Sequence, residues 1–166
     1  MADDLQKPPK SDGADLYERD YLAWTEVQAA ALRARRGGEN ALDYDNLAEE
    51  IEDLGRSEAR ACESLTEKIL EHLLKIQFDG DPLNVPHWTV EVRAFRRNLR
   101  KNLSSSLEPR MSEALQRIYT DVREGLIDQY GLQGRKIEWP ETCPYAWSQV
   151  VSRDVDWMPN PALQAE

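Results

Sequence analysis

Residues 43–78 read DYDNLAEEIEDLGRSEARACESLTEKILEHLLKIQF, and this stretch decides the fold. Its apolar residues recur mostly in steps of three and four, which places them on one face of a helix. They are Leu47, Ile51, Leu54, Cys62, Leu65, Ile69, Leu73 and Ile76. No proline interrupts the stretch, and most of its other residues are good helix formers. The pattern predicts one helix on the order of 50 Å long, with the other helices packed against its apolar face.

Three further amphipathic patterns flank this long helix. The first predicts a helix over residues 15–36, which two glycines follow. After the loop DGDPLNVP, the second predicts a helix that begins at about residue 86 and has Trp88 on its apolar face. The third predicts a helix over residues 109–130, with Gly131 as the residue that ends it.

The C-terminal stretch, residues 132–161, differs in kind from the helices. It holds three of the five tryptophans together with four prolines. We interpret it as an irregular strap that packs its aromatic rings on the helices and carries one short helix over residues 144–152. No long run of alternating β-branched residues indicates a sheet. The sequence therefore predicts an all-α fold: an antiparallel bundle of four main helices, one of them very long, with a Trp- and Pro-rich C-terminal strap.

Length and composition indicate one domain. A chain of 166 residues is long enough for a sizeable core, and we expect a single helical domain over residues 15–160. Residues 1–14 are predicted to be a disordered tail and residues 161–166 a short second tail. Two cysteines make no disulfide framework, and no signal peptide or membrane span is recognisable, so we expect a cytoplasmic location. The net charge of -10 disfavours binding to nucleic acid or to an anionic membrane.

Several motifs, taken in order, resemble those of one bacterial family. They are LYERDYLAW near the start, DYDNLAEEIEDLGRSE and HLLKIQ in the long helix, and PETCPY followed by DW near the end. Over roughly residues 15–159 the chain is similar to the family known as domain of unknown function twenty-nine. The resemblance implies an all-helical, single-domain bacterial protein without an established role, and it implies no catalytic residues. His72 sits at the histidine of that family, whereas no histidine is expected at His87.

Two polar residues fall in the middle of the apolar face of the long helix. Glu58 and His72 are 14 residues apart, roughly 21 Å along a straight helix, so each needs its own partner. In one interpretation they are core residues, with Glu58 bound to an arginine or tyrosine and His72 to a hydroxyl or carbonyl group. In the other they line a polar pocket inside the bundle, where His72 acts chemically. Glu50, Trp88 and Arg96 are the further candidates for that pocket.

The sequence shows none of the common metal-binding patterns. The acidic run over residues 43–53 lies mostly off the apolar face, and acids are favourable near a helix start in any case. The Glu-x-x-His pairs of di-iron bundles and the Cys-x-x-Cys pairs of zinc sites are both missing. A metal site built from His72, His87, Asp79 and Asp81 is geometrically possible, although the spacing of these residues does not require one. We therefore expect no metal and no cofactor.

The sequence favours a binding role over catalysis. It contains no glycine-rich phosphate loop and no nucleophile elbow, and catalytic residues stay unassigned. We interpret Cys62 and Cys143 as structural, and the arginines of the third helix as a solvated or acid-paired face. The leading hypothesis is a protein-interaction or regulatory module that binds a protein partner or a second copy of itself. The alternative is an enzyme or small-ligand binder that uses the polar pocket around His72.

Overall fold

The computed structural model describes residues 12–35, 42–154 and 157–160. Over these ranges it contains six α-helices and no β-strand, which confirms the predicted all-α fold. The helices are α1 (Asp12–Arg19), α2 (Tyr21–Ala34), α3 (Tyr44–Leu74), α4 (Val85–Asn102), α5 (Leu107–Leu132) and α6 (Trp147–Val150). A π-helical segment, Lys75–Asp79, continues α3, so the predicted long helix is confirmed. The antiparallel bundle arrangement stays a prediction.

The chain divides into two compact units. The first comprises residues 1–59 and 104–106, and the second comprises residues 60–103 and 107–166. The single helical domain over residues 15–160 stays a prediction, which one cooperative unfolding transition would support. The predicted tails lie outside the described residues, except that residues 12–14 belong to α1 and are therefore helical.

In the first unit, α2 packs closely against α3 at Gly55. Leu22 and Thr25 on α2 and Gly55 on α3 are all buried. A Cβ atom added to Gly55 would lie 2.9 Å from Leu22 Cδ1 and closer still to Thr25 Oγ1. Only a residue without a side chain allows this approach of the two helices.

The predicted apolar face of α3 is wrong at two positions of the first unit. Leu47 is 40% exposed and Leu54 is 51% exposed. Their neighbours Ala48 and Gly55 are buried instead. Because small residues allow a second helix to come close, they take the inner face here, although a hydrophobic pattern ranks the leucines above them.

The single first helix predicted over residues 15–36 is also wrong, because Asp20 divides it into α1 and α2. The backbone of Asp20 is not helical, with φ -150° and ψ 83°, and its side chain accepts a 3.1 Å hydrogen bond from the amide of Ala23. The same carboxylate accepts hydrogen bonds from the hydroxyl groups of Ser105 at 2.8 Å and Ser106 at 2.6 Å. Burial opposes the charge of Asp20, but these hydrogen bonds outweigh burial and hold its pKa well below the usual range.

The second unit has an apolar core to which α3, α4 and α5 all contribute. The apolar face predicted for the long helix is confirmed here, except that Leu65 is only half-buried. The buried side chains of the three helices include Cys62, Ile69, Leu73 and Ile76 from the long helix and its π-helical continuation, Val92 and Leu99 from α4, and Met111, Leu115, Ile118 and Leu126 from α5.

The end of α5 differs from the prediction, because Gly131 remains helical and the helix continues to Leu132. The chain turns at Gly134, whose φ is 70°. The amide of Arg135 then donates a 2.9 Å hydrogen bond to the carbonyl oxygen of Tyr130. A glycine at positive φ commonly ends a helix in this way, since a Cβ atom is strained there.

The C-terminal strap, residues 133–154 and 157–160, is docked on α4 through Arg96. This arginine is 2% exposed, and its guanidinium group donates to three carbonyl oxygens of the strap. The acceptors are Val150 at 3.0 Å, Gln149 at 2.7 Å and Trp157 at 3.0 Å. Arg100, one turn later on α4, donates a fourth hydrogen bond to the strap. The predicted docking of the strap is thus confirmed, and α6 is its short helix.

Candidate functional site

His72 lies on α3 with both of its ring nitrogens in hydrogen bonds. Nδ1 lies 2.8 Å from the carbonyl oxygen of Lys68, and Nε2 lies 2.6 Å from Oε2 of Glu91 on α4. The same carboxylate oxygen is 3.2 Å from Nε2 of His87. Both ring nitrogens therefore have protein partners, one on α3 and one on α4. The ring joins these two helices, and neither nitrogen is left to contact a substrate.

The five residues of the predicted polar pocket are divided between the two units. Glu50 and Glu58 belong to the first unit, and His72, Trp88 and Arg96 belong to the second. Glu50 is exposed on α3, whereas Trp88 is half-buried near the start of α4. Within the second unit, His72 is bound to Glu91, and Arg96 is bound to the strap. The polar pocket stays a prediction.

Glu58 has a polar atom without a partner. Its Oε2 is buried and makes no hydrogen bond within the described ranges, so the expected arginine or tyrosine is not found for this atom. Burial raises the pKa of Glu58, and the negative charge of Asp20 raises it further. Both effects favour the neutral carboxyl group over the carboxylate.

Arg96 has a structural role although its side chain is charged. Burial lowers its pKa to about 10, and the positive charge of Arg100 contributes to the same effect. The guanidinium carbon lies 5.1 Å from the centre of the Trp157 ring, at cation–π distance. Because its hydrogen bonds go to carbonyl groups of the strap, Arg96 positions that segment.

No metal centre is formed by the residues that the structure describes: among them, no group of three His, Cys, Asp or Glu side chains is arranged to hold an ion. Asp79 and Asp81, the two carboxylates of the metal site considered in the sequence analysis, have other partners. Asp79 accepts from Tyr130 and Arg135, and Asp81 accepts from the amide of Leu83 and the side chain of Asn84.

Neither cysteine is placed for nucleophilic chemistry. Cys62 is fully buried in the core of the second unit. Burial raises the pKa of the Cys143 thiol, whose Sγ lies 3.4 Å from the carbonyl oxygen of Tyr145. A thiol kept in its neutral form is a poor nucleophile, which supports the structural interpretation of both residues.

An open groove of about 480 Å³ lies in the second unit and is lined by α3 and α5. We call it the acidic groove. Three carboxylates stand along it, those of Glu67, Glu71 and Asp121, and its apolar lining includes Val122 and Leu126. Gly125 also lines it, and a Cβ atom added to this glycine would meet no atom within 4 Å. The groove therefore combines negative charge with apolar surface.

A smaller cavity of about 360 Å³ lies where α5 meets the strap. We call it the tryptophan cavity. Its lining includes Gly131, Arg135, Lys136, Ile137 and Trp139. The indole of Trp139 is 5% exposed, and its Nε1 is buried without a hydrogen-bond partner in the described part of the chain. A buried donor of this kind is uncommon in folded proteins.

Arg135 is held at this cavity by contacts with the buried residues Asp79 and Tyr130. Its guanidinium group forms an ion pair with Asp79 and lies 4.9 Å from the centre of the Tyr130 ring. The hydroxyl group of Tyr130 donates a 2.7 Å hydrogen bond to the same carboxylate. Burial alone would raise the pKa of Asp79, but the hydrogen bonds from Arg135 and Tyr130 lower it overall. The network fixes the arginine in place and keeps Asp79 ionised.

The helices and the docked strap define an all-α protein. The chain belongs to the family described as Domain of unknown function DUF29, whose model matches residues 16–157. A crystal structure of an α-helical protein of unknown function from Rhodospirillum rubrum has the same fold, with a TM-score of 0.70 and 24% sequence identity. The match covers 84% of this chain and 91% of that one. No curated protein matches the chain.

No helix among the described residues has the length and apolar character needed to cross a membrane.

The sequence analysis did not single out three residues as site residues: Glu91, which binds His72, and Arg135 and Trp139, which line the tryptophan cavity. Glu91 could have been found from the sequence, because it stands four residues after His87 and therefore on the same helix face. Arg135 and Trp139 could not, since their proximity depends on how the strap folds back.

Proposed function

We propose that the protein is an interaction module that binds a basic segment of a protein partner in the acidic groove. The observation that carries the proposal is the composition of this groove, with the carboxylates of Glu67, Glu71 and Asp121 around apolar surface from Val122 and Leu126. Such a surface suits lysine or arginine side chains interspersed with apolar ones. The site would work in a bacterial cytoplasm, and that location is part of the proposal.

Charge supports a basic partner over an acidic one. The chain carries a net charge of -10, so a positively charged segment is attracted at long range and nucleic acid is repelled. Lys68 lines the groove but lies over the Phe95 ring at 5.5 Å, and the nearby Lys75 is paired with Glu71. Asp121 lies 3.8 Å from Arg117 in an exposed ion pair, which a basic partner would have to displace. Glu67 is therefore the first carboxylate to receive the partner.

The proposal is tested by selecting binders from a phage-displayed peptide library. Gly125→Leu is the blocking variant, because a leucine there would project into the groove while keeping helix propensity high. Gly131→Leu is the matched control, since this glycine lies on the same helix but lines the other cavity. We expect peptides rich in lysine, arginine and apolar residues to bind the wild type and the Gly131→Leu control and to lose affinity for Gly125→Leu.

Ionic strength separates the electrostatic part of the interaction. Raising salt from about 0.1 M to about 0.5 M should weaken binding several-fold, because charges at an exposed groove are screened. Selected peptides without basic residues, or equal binding to Gly125→Leu, would contradict the proposal. If sedimentation showed a dimer that Gly125→Leu dissociates, the occupant of the groove would be a second copy of the chain.

A further inference from the structure

We propose that the tryptophan cavity binds a small organic monocarboxylate, with its carboxylate at Arg135 and Lys136 and its apolar body beside Ile137 and Gly131. No residue of this cavity belongs to the groove of the proposed function, so the inference stands apart from it. A volume of about 360 Å³ is near the lower end for small-molecule sites, which indicates a compact ligand.

The first argument is the unpaired donor of Trp139. Its side chain is more than nine-tenths buried and lines the cavity, yet the indole N–H has no acceptor within the described ranges. Buried polar groups are nearly always hydrogen-bonded in folded proteins. The neighbouring rings of Tyr130 and Phe78 pack edge-to-face with Trp139, at centroid distances of 5.4 and 6.0 Å. A ligand oxygen that reaches the indole N–H from the cavity would supply the missing acceptor.

The second argument is the positive charge at the mouth. Arg135 uses NH1 and NH2 for Asp79, and its half-exposed side chain keeps further N–H groups for a ligand. Lys136 follows directly and is exposed. A neighbouring cavity of about 470 Å³ shares both residues and is also lined by Asp79 and Glu138. These two acids disfavour a multiply charged anion such as phosphate, so a single carboxylate fits the site better.

The third argument is the open surface over the glycines. A Cβ atom added to Gly131 or to Gly134 would meet no atom within 4 Å. The backbone therefore forms part of the wall, and Ile127 and Ile137 add apolar surface beside it. A flat ring can rest on such a wall without displacing any side chain.

The test is an NMR titration of the ¹⁵N-labelled protein with benzoate, followed through the indole N–H resonances of its five tryptophans. Trp139→Phe assigns the resonance of interest. We expect benzoate to shift the Trp139 resonance saturably with a Kd on the order of 1 mM, as for other ligands of this size. Benzyl alcohol, which keeps the ring but lacks the charge, should bind at least about ten-fold more weakly.

Three variants test the proposal. Gly131→Leu should abolish the benzoate shift by filling the cavity, and Gly125→Leu, on the same helix, should leave it unchanged. Lys136→Met should weaken binding several-fold without changing the dispersion of the spectrum, which reports on folding. No saturable shift at about 10 mM benzoate, or the same shift in Gly131→Leu, would overturn the proposal. Equal binding of benzyl alcohol would overturn the carboxylate assignment.

Discussion

Replacing Arg96 by alanine is expected to destabilise the protein by about 3 kcal/mol, because the interactions lost outweigh the cost of burying the charge. The mutation leaves three strap carbonyls without their donor, at about 1 kcal/mol each, and removes the contact with the Trp157 ring, worth about 1 kcal/mol. Loss of the buried side-chain stem and the resulting cavity adds about 2 kcal/mol. These losses together amount to about 6 kcal/mol.

The cost of burying the charge of Arg96 acts in the opposite direction. Its pKa falls to about 10, mainly through burial, and this corresponds to about 3 kcal/mol that the alanine variant does not incur. Arg96→Met keeps most of the volume and should lose only about 1 kcal/mol, because most of the packing is retained. Arg100→Ala removes one hydrogen bond from a half-buried side chain and should also cost about 1 kcal/mol.

Chemical denaturation of the wild type and the three variants measures these differences. Native-state hydrogen exchange then locates the effect, because strap amides should lose protection in Arg96→Ala before amides of α3 do. A loss below about 1 kcal/mol, with unchanged exchange in the strap, would refute the reasoning that Arg96 holds this segment in place.

Three further expectations follow from the first unit and from α5. Gly55→Ala should destabilise by about 1–3 kcal/mol, because its Cβ would collide with the buried Thr25, whereas Gly125→Ala should stabilise by up to about 1 kcal/mol in the same denaturation assay. Glu58→Gln should raise the melting temperature at pH 7 and have little effect near pH 4. The pKa of Glu58 is raised by burial, so its contribution to stability is present at low pH and is lost as the folded-state carboxyl ionises; an equal effect at both values would contradict this. Asp20→Asn should lower the melting temperature at pH 7 and lose that effect in acid. The pKa of Asp20 is lowered, so its stabilisation exists above the unfolded-state value of 3.8 and fades as pH falls towards the folded-state value; a constant difference across pH would contradict it.

The sequence predicted the helices well where the apolar pattern reports on tertiary packing. The faces of α3, α4 and α5 in the second unit follow the 3.6-residue period, because large side chains fill that core. The pattern failed at Leu54, since the neighbouring Gly55 brings α2 closer than any leucine would allow. It also failed at Asp20, whose partners Ser105 and Ser106 are 85 and 86 residues away and leave no local signal.

The candidate sites could be predicted only in part. His72 was identified from its position on an apolar face, but its partner Glu91 lies on another helix. The end of α5 was predicted at Gly131, whereas the glycine with positive φ is Gly134, and the backbone angle of a glycine cannot be read from the sequence. The tryptophan cavity depends on that turn, since it brings Arg135 and Trp139 back over α5. No short sequence motif predicts this proximity, because it depends on how the whole chain folds.

The pairing of Arg96 with the strap has a consequence for how the protein is made in the cell. The carbonyl groups that satisfy this guanidinium lie 53 to 61 residues further along the chain. The ribosome must therefore synthesise the strap before the charge of Arg96 can be buried with its acceptors. Until then the charge of Arg96 lies on the face of α4 that the strap will cover, and the second unit cannot reach its final packing. A product of interrupted translation would thus expose this unfinished surface to proteases and chaperones, which would remove chains that lack the strap.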